Sequence, residues 1–203
     1  MSFKVISESF KDGDYLSDRF VLSADFGFGC GGENVSPHLK WAGAPADAKS
    51  FAITCYDPDA PTGSGFWHWL VVNLPSSVHE LAEGAGSARG KLPEGALQTR
   101  TDYGLPGYGG PCPPKGDHPH RYLFTVFAVA VDRLDVKADT SAAVVGFNLH
   151  FNTIAAARSW ACIEGERPEA VLFHQFLAPR PQRIPRIDLI VLRAFYPSAI
   201  ASW

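Results

Sequence analysis

The chain has no basic surplus. Its 18 Lys and Arg are outnumbered by 21 Asp and Glu, for a formal net charge of -3. It therefore lacks the basic face on which nucleic-acid binding depends. Long apolar runs are missing too. The apolar stretches fall far short of the roughly 20 residues that cross a bilayer, so no membrane span is expected. The opening, MSFKVISESF, has no apolar core of signal-peptide length and no cleavage pattern, and a cytoplasmic location is expected. Cysteine is sparse: Cys30, Cys55, Cys112 and Cys162 are widely spaced and form no CxxC pair. In a reducing compartment they are expected to be free, mostly buried thiols. No GxSxG elbow and no Walker loop occurs, which removes the commonest serine-hydrolase and nucleotide-binding signatures. Ser64, between glycines in TGSGF, reads as a turn residue rather than a nucleophile.

What is present points to strands and shaped loops. A chain of 203 residues is ordinarily one domain with a large core. Aromatic residues make up 12%, with 16 prolines and 19 glycines. FKVISESF alternates and reads as a first strand. SFAITCY and FWHWLVVNL are apolar on both faces and bounded by Pro, Gly or Ser, as core strands are. RYLFTVFAVAV is the strongest strand candidate. Residues 75–118 read mostly as loop. TSAAVVGFNLHFNTI can open a helix, with Asp139 or Thr140 as its cap. Beyond Arg158 the periodicity is poor and arginine-proline pairs appear.

The stretch CYDPDAP carries the first chemical signal. Pro58 biases Asp57 toward extended backbone, and Pro61 does the same to Ala60. The loop leaving the strand is therefore stiff, which suits a binding site because little entropy is lost on meeting a ligand. The plain structural alternative is that these acids make Asx turns to nearby backbone amides. That alternative is expected for Asp59, which then faces its own loop, whereas Asp57 is expected to face a pocket.

His68 lies between two tryptophans in GFWHWLVV. In a regular strand His68, Leu70 and Val72 face one way, and Trp67, Trp69 and Val71 the other. In GGPCPPKGDHPHRYLFTVF, His120 and Tyr122 share a face at the entrance of a strand. A lone core histidine or tyrosine is usually just hydrogen-bonded in place. If the loops cluster, however, Asp57, His68, His120 and Tyr122 meet in one small polar pocket beside Phe66, Trp67 and Trp69. Imidazoles oriented by a carboxylate and a phenol suit a phosphate or carboxylate group. His118-Pro119-His120 is the one close histidine pair, and its spacing is not diagnostic of a metal. No metal and no cofactor is expected. Cys112 sits in the loop beside the pocket, and nothing in the sequence shows its thiol to be activated.

DPDAP followed by WHWLVVNLP, then PPKG and HRY, resembles the phosphatidylethanolamine-binding protein family, also called the Raf kinase inhibitor protein family. NVSPHLKW and LQTRTDYG look like the short bacterial and archaeal branch. The resemblance covers about residues 3–157. It implies a mainly β fold, a large central antiparallel sheet packed on a smaller sheet with a few short helices. It implies a pocket for small anions, phosphoryl head groups included, using Asp57, His68, His120 and Tyr122. Pro58, Asp59 and Pro61 would shape one wall, with Trp67 beside them, and Pro113 and Pro114 the other. It further implies non-enzymatic binding, a protein kinase or other signalling protein as possible partner, and homodimers. The alternative is a small hydrolase or lyase using the same His/Asp cluster. Asn152 stands where related sequences usually have a second histidine. The likeness stops near Arg158, so residues 1–157 are read as the domain and 158–203 as a divergent tail; if the family's last strand is partly lost there, the central sheet misses a member.

Overall fold

A computed structural model describes residues 2–165. Two antiparallel sheets make the fold. β1 (Lys4–Ile6), β2 (Leu39–Ala42) and β5 (Glu80–Leu81) form the smaller one, in the order β1-β2-β5. β3 (Ser50–Asp57), β4 (Phe66–Pro75), β6 (Leu97–Gln98), β7 (His120–Val129) and β8 (Thr153–Ile163) form the larger, in the order β6-β4-β3-β7-β8. One α-helix, α1 (Ala142–Asn152), precedes β8, and two short 3-10 turns lie at Asp18–Phe20 and Ala24–Phe26. Among the described residues no helix is long and apolar enough to cross a membrane.

The two-sided apolar character of β3, β4 and β7 has a direct cause. One face of the large sheet, with Phe51, Ile53, Trp69, Phe124 and Val126, packs on Val5, Leu39, Trp41 and Leu81 of the small sheet. The opposite face, with Ala52, Leu70, Val72 and Val129, is covered by Ala142, Val145 and Leu149 of α1. Burying such side chains contributes roughly 1.5–3 kcal/mol each, and strands buried on both faces need no polar alternation.

Three local readings are corrected. The cap of α1 is Ser141. Thr140 instead turns its hydroxyl to the Lys137 N–H. The last strand is not cut short. β8 runs through the boundary expected at residue 157 and pairs with β7 from Thr153 opposite Val129 to Ile163 opposite His120. What continues it is the alternation of small buried residues, Ala157, Ser159 and Ala161, against β7. The tail beyond residue 165 lies outside the described residues. Third, the cysteines are not all free. Cys30 and Cys112 form a disulfide, while Cys55 and Cys162 are free. Separation in sequence, 82 residues, concealed a pair that the loops bring together.

Candidate functional site

β3 ends at Asp57, and the turn after it is built by that side chain. Asp57 Oδ1 accepts hydrogen bonds from the Asp59 N–H at 2.8 Å and the Ala60 N–H at 3.1 Å. The Asx turn thus belongs to Asp57, and it leaves Oδ2 aimed at His120, whose Nδ1–H donates to it at 2.8 Å. Both side chains are buried. Asp59 does not face its own loop, contrary to expectation. It reaches across to β7, where the Arg121 guanidinium donates to both of its carboxylate oxygens at 2.7 and 2.8 Å and the Arg121 N–H at 2.9 Å. That contact holds the Asp59 carboxyl at about 2, below the usual carboxylate range. The two acids of CYDPDAP are therefore divided, one inward and one along the sheet.

A bulge in β4 places His68. Cys55 is opposite Trp69 and Tyr56 is opposite Trp67, so His68 is the extra residue between them. An inserted residue breaks the alternation of faces. Trp69 and Val71 stay on the small-sheet side and Trp67 joins Leu70 and Val72 on the α1 side. His68 and Phe66 turn instead toward Tyr103 and Tyr122, with ring centroids 4.8–5.5 Å apart. The strict two-residue period is thus corrected, and neither Trp67 nor Trp69 lines the pocket.

His68 is oriented from behind. Its Nδ1 lies 2.9 Å from the Gly109 carbonyl and 3.2 Å from that of Gly110. A carbonyl only accepts, so Nδ1 carries the proton, and Nε2 is left toward Asp57 Oδ2, 4.0 Å away. Burial pushes the His68 pKa down, opposed by those carbonyls and by Asp57. The 109–110 segment is held in turn by Asn34, whose Oδ1 accepts from the Gly110 N–H at 2.7 Å and whose Nδ2 donates to the Tyr108 carbonyl. A Cβ on Gly110 would lie 2.3 Å from the Phe20 carbonyl oxygen, so only glycine allows this approach.

The resulting cavity is about 160 Å³ and is walled by Asp57, His68, His120 and Tyr122 together with Ala60, Pro61, Phe66, Tyr103, Pro113 and Pro114. All four residues expected at its centre are brought together. Pro61, Pro113 and Pro114 are in the wall as expected, whereas Pro58 and Asp59 are not. Tyr122 is fully buried and its hydroxyl has no hydrogen-bond partner among the described residues. Burial, with the Asp57 charge beside it, pushes its pKa far up, so it stays a neutral donor. His120 is enclosed differently from His68. Its Nε2 lies 3.3 Å from Asp117 Oδ2, so carboxylates face both ring nitrogens. Cys112 lines the pocket with its sulfur in the disulfide, which ends any role as a thiol nucleophile.

Sequence reading missed Tyr103, Phe28 and the 109–110 carbonyls. Tyr103 donates to the Gly110 carbonyl at 2.9 Å and packs edge-on against Phe28, 5.2 Å between centroids. The signal for Tyr103 was the short run LQTRTDYG inside an otherwise loop-like region.

The family model described as phosphatidylethanolamine-binding protein matches residues 6–162. The chain belongs to the phosphatidylethanolamine-binding protein family. Two relatives in Escherichia coli cover most of it. UPF0098 protein YbhB is 54% identical over 154 residues, which is 76% of this chain and 95% of YbhB. UPF0098 protein YbcL is 52% identical over 157 residues, 77% of this chain and 84% of YbcL. The crystal structure of Escherichia coli YbcL, described as a new member of the mammalian family, superposes with a TM-score of 0.77 at 49% identity, covering 81% of this chain and 99% of that one. A homologue from Chlamydia trachomatis gives 0.67 at 28% identity over 81% of this chain and 99% of its own. The phosphatidylethanolamine-binding fold, mainly β with two antiparallel sheets, is thus shared along the described domain.

Proposed function

We propose that the pocket binds one small phosphoryl or carboxyl head group without transforming it. The observation that carries this reading is the Tyr122 hydroxyl, buried and unpartnered among the described residues at the pocket wall. A buried polar group without a partner costs roughly 1–3 kcal/mol, and a ligand oxygen would recover that. His68 is the second donor. With Nδ1–H fixed on Gly109 and Gly110, its Nε2 donates only when the ring is protonated, so an anion binds together with a proton. His120 and Asp57 act as the wall that sets this geometry. The cavity volume, about 160 Å³, is below the roughly 300–1,000 Å³ that houses drug-sized ligands, which favours a head group alone.

Binding is favoured over covalent catalysis because the thiol and threonine candidates in the wall are already engaged. The Cys112 sulfur is bonded to Cys30, and the Thr62 hydroxyl donates to the Gly65 carbonyl. A protein kinase or other signalling partner and a homodimer, both implied by the family, extend the proposal. Co-precipitation and analytical sedimentation test them.

The test is calorimetric titration of the full-length protein at pH 6 with O-phosphorylethanolamine and with inorganic phosphate, beside His68→Ala and Tyr122→Phe. Binding by the parent that is weakened in both variants supports the assignment. A folded parent that takes up neither probe overturns it.

A further inference from the structure

The cluster at the start of β7 has an arrangement that the anion pocket does not use. Asp117 closes a turn with its N–H on the Pro114 carbonyl, at 3.0 Å. Its carboxylate lies 2.8 Å from His118 Nδ1 through Oδ1 and 3.3 Å from His120 Nε2 through Oδ2. One donor atom from each of Asp117, His118 and His120 falls within 4.8 Å of the others. Pro119 has a fixed φ and holds His118 extended, so both rings face the same carboxylate, with centroids 5.3 Å apart.

We propose that Asp117, His118 and His120 form a site for one divalent transition-metal ion of the zinc class. Two imidazole nitrogens and one carboxylate oxygen suit zinc and its neighbours. Calcium and magnesium ask for oxygen ligands throughout. A second, independent feature supports the site from behind. His120 donates Nδ1–H to the buried Asp57 carboxylate at 2.8 Å. That is the carboxylate–histidine pairing that fixes tautomer and ring orientation in metal centres and raises the basicity of the ligating nitrogen. It leaves His120 Nε2 as the metal-facing atom, on the same side as Asp117 and the largely exposed His118. The three protein ligands leave at least one coordination position for water or a ligand atom. The site stands whether or not the neighbouring pocket takes an anion.

The experiment is titration of untagged full-length protein with Zn²⁺ by calorimetry and with Co²⁺ by visible absorption, whose d–d bands report coordination geometry. The expected result is one equivalent bound, at least tenfold weaker in His118→Ala and in Asp117→Asn, and unchanged in His174→Ala, which removes a histidine outside the described residues. Asp57→Asn should weaken binding by about 10–100-fold, through the orientation and basicity of the His120 ring. His118 is exposed, so its loss leaves the fold intact and isolates the ligand effect. No uptake of either ion, or uptake undiminished by His118→Ala, overturns the proposal.

Discussion

Asp57 and His120 are joined by a 2.8 Å hydrogen bond in the interior, while the other oxygen of the same carboxylate holds the Asp59 and Ala60 amides. One side chain thus ends a strand, shapes a turn and fixes an imidazole. Removing one partner of a buried hydrogen bond leaves the other unsatisfied, at about 1–3 kcal/mol and more for a charged group. Asp57→Ala is expected to destabilise the protein by about 3 kcal/mol. Asp57→Asn keeps an acceptor for the turn amides and should cost less, about 1–2 kcal/mol. Urea unfolding of both variants checks the order; equal losses would mean that the contact to the imidazole, altered in both, and not the turn, dominates.

His68 links stability to pH. Burial lowers its pKa below the ordinary 6.5, so the unfolded chain binds the proton more readily. Stability is then complete above 6.5 and is lost as pH falls through 6.5 toward the depressed folded value. Phosphate should reverse part of that loss by favouring the protonated ring. The measurement is the urea midpoint at pH 7.5 and pH 5.5, with and without phosphate, in the parent and His68→Gln. A parent whose midpoint changes no more than that of His68→Gln would remove His68 from the linkage.

Strand interiors were legible in the sequence because hydrophobicity dominates them. SFAITCY, FWHWLVVNL and RYLFTVFAVAV became β3, β4 and β7 almost without change. Asp57 and His120 were legible because each sits at a strand end next to proline, and His68 and Tyr122 because each is a polar-tipped side chain near the start of an apolar strand. What escaped was set by contacts distant in the chain. The bulge at His68 arises from pairing with Tyr56 and Cys55, the bond between Cys30 and Cys112 from loop apposition, and the Asp59–Arg121 pair from strand adjacency across β3 and β7. None of these leaves a local pattern.

The Cys30–Cys112 bond ties the FGFGCGG loop to the pocket loop GGPCPP across 82 residues. Closing a loop of that length in the unfolded chain stabilises by about 4.5 kcal/mol in the chain-entropy account. Reduction with dithiothreitol, or Cys30→Ala with Cys112→Ala, should lower the unfolding free energy by that amount. Phosphate affinity should fall as well, since Cys112 and Phe28 both line the cavity. Disulfides persist in oxidising compartments and are rare in the cytoplasm, so the redox state of this pair in the cell bears on where the protein resides. Alkylation of thiols at the moment of cell lysis, followed by mass spectrometry, decides the point. Blocked Cys30 and Cys112 are expected, and full alkylation of both would restore the cytoplasmic reading.

Arg121 and Asp59 form a bidentate pair on the sheet surface, with Arg121 about half exposed. Exposed pairs contribute about 1 kcal/mol or less, so Arg121→Ala is expected to cost about that much, and less in high salt. Because the Asp59 carboxyl is held at about 2 rather than 3.8, the contribution is present above pH 3.8 and lost as pH falls through 2. The parent and variant stability curves should therefore converge at strongly acid pH; a difference that persists there points to lost packing of the Arg121 stem instead.

Tyr122 separates the binding reading from a purely structural one. A core tyrosine kept for stability would have a satisfied hydroxyl, and replacing it by phenylalanine would cost about 1 kcal/mol. Here the hydroxyl is buried without a partner among the described residues, so Tyr122→Phe removes a desolvated group and fills the same space. The ligand-free protein should gain about 1 kcal/mol of stability. Phosphate or O-phosphorylethanolamine should bind about tenfold more weakly, the equivalent of roughly 1.4 kcal/mol. Stability and affinity then move in opposite directions from a single oxygen atom, as they do where a site holds a polar group ready for a ligand. Unfolding and titration of the same two preparations measure both. A variant that is less stable yet binds equally well would make Tyr122 a structural tyrosine and return the pocket's donor role to His68 alone.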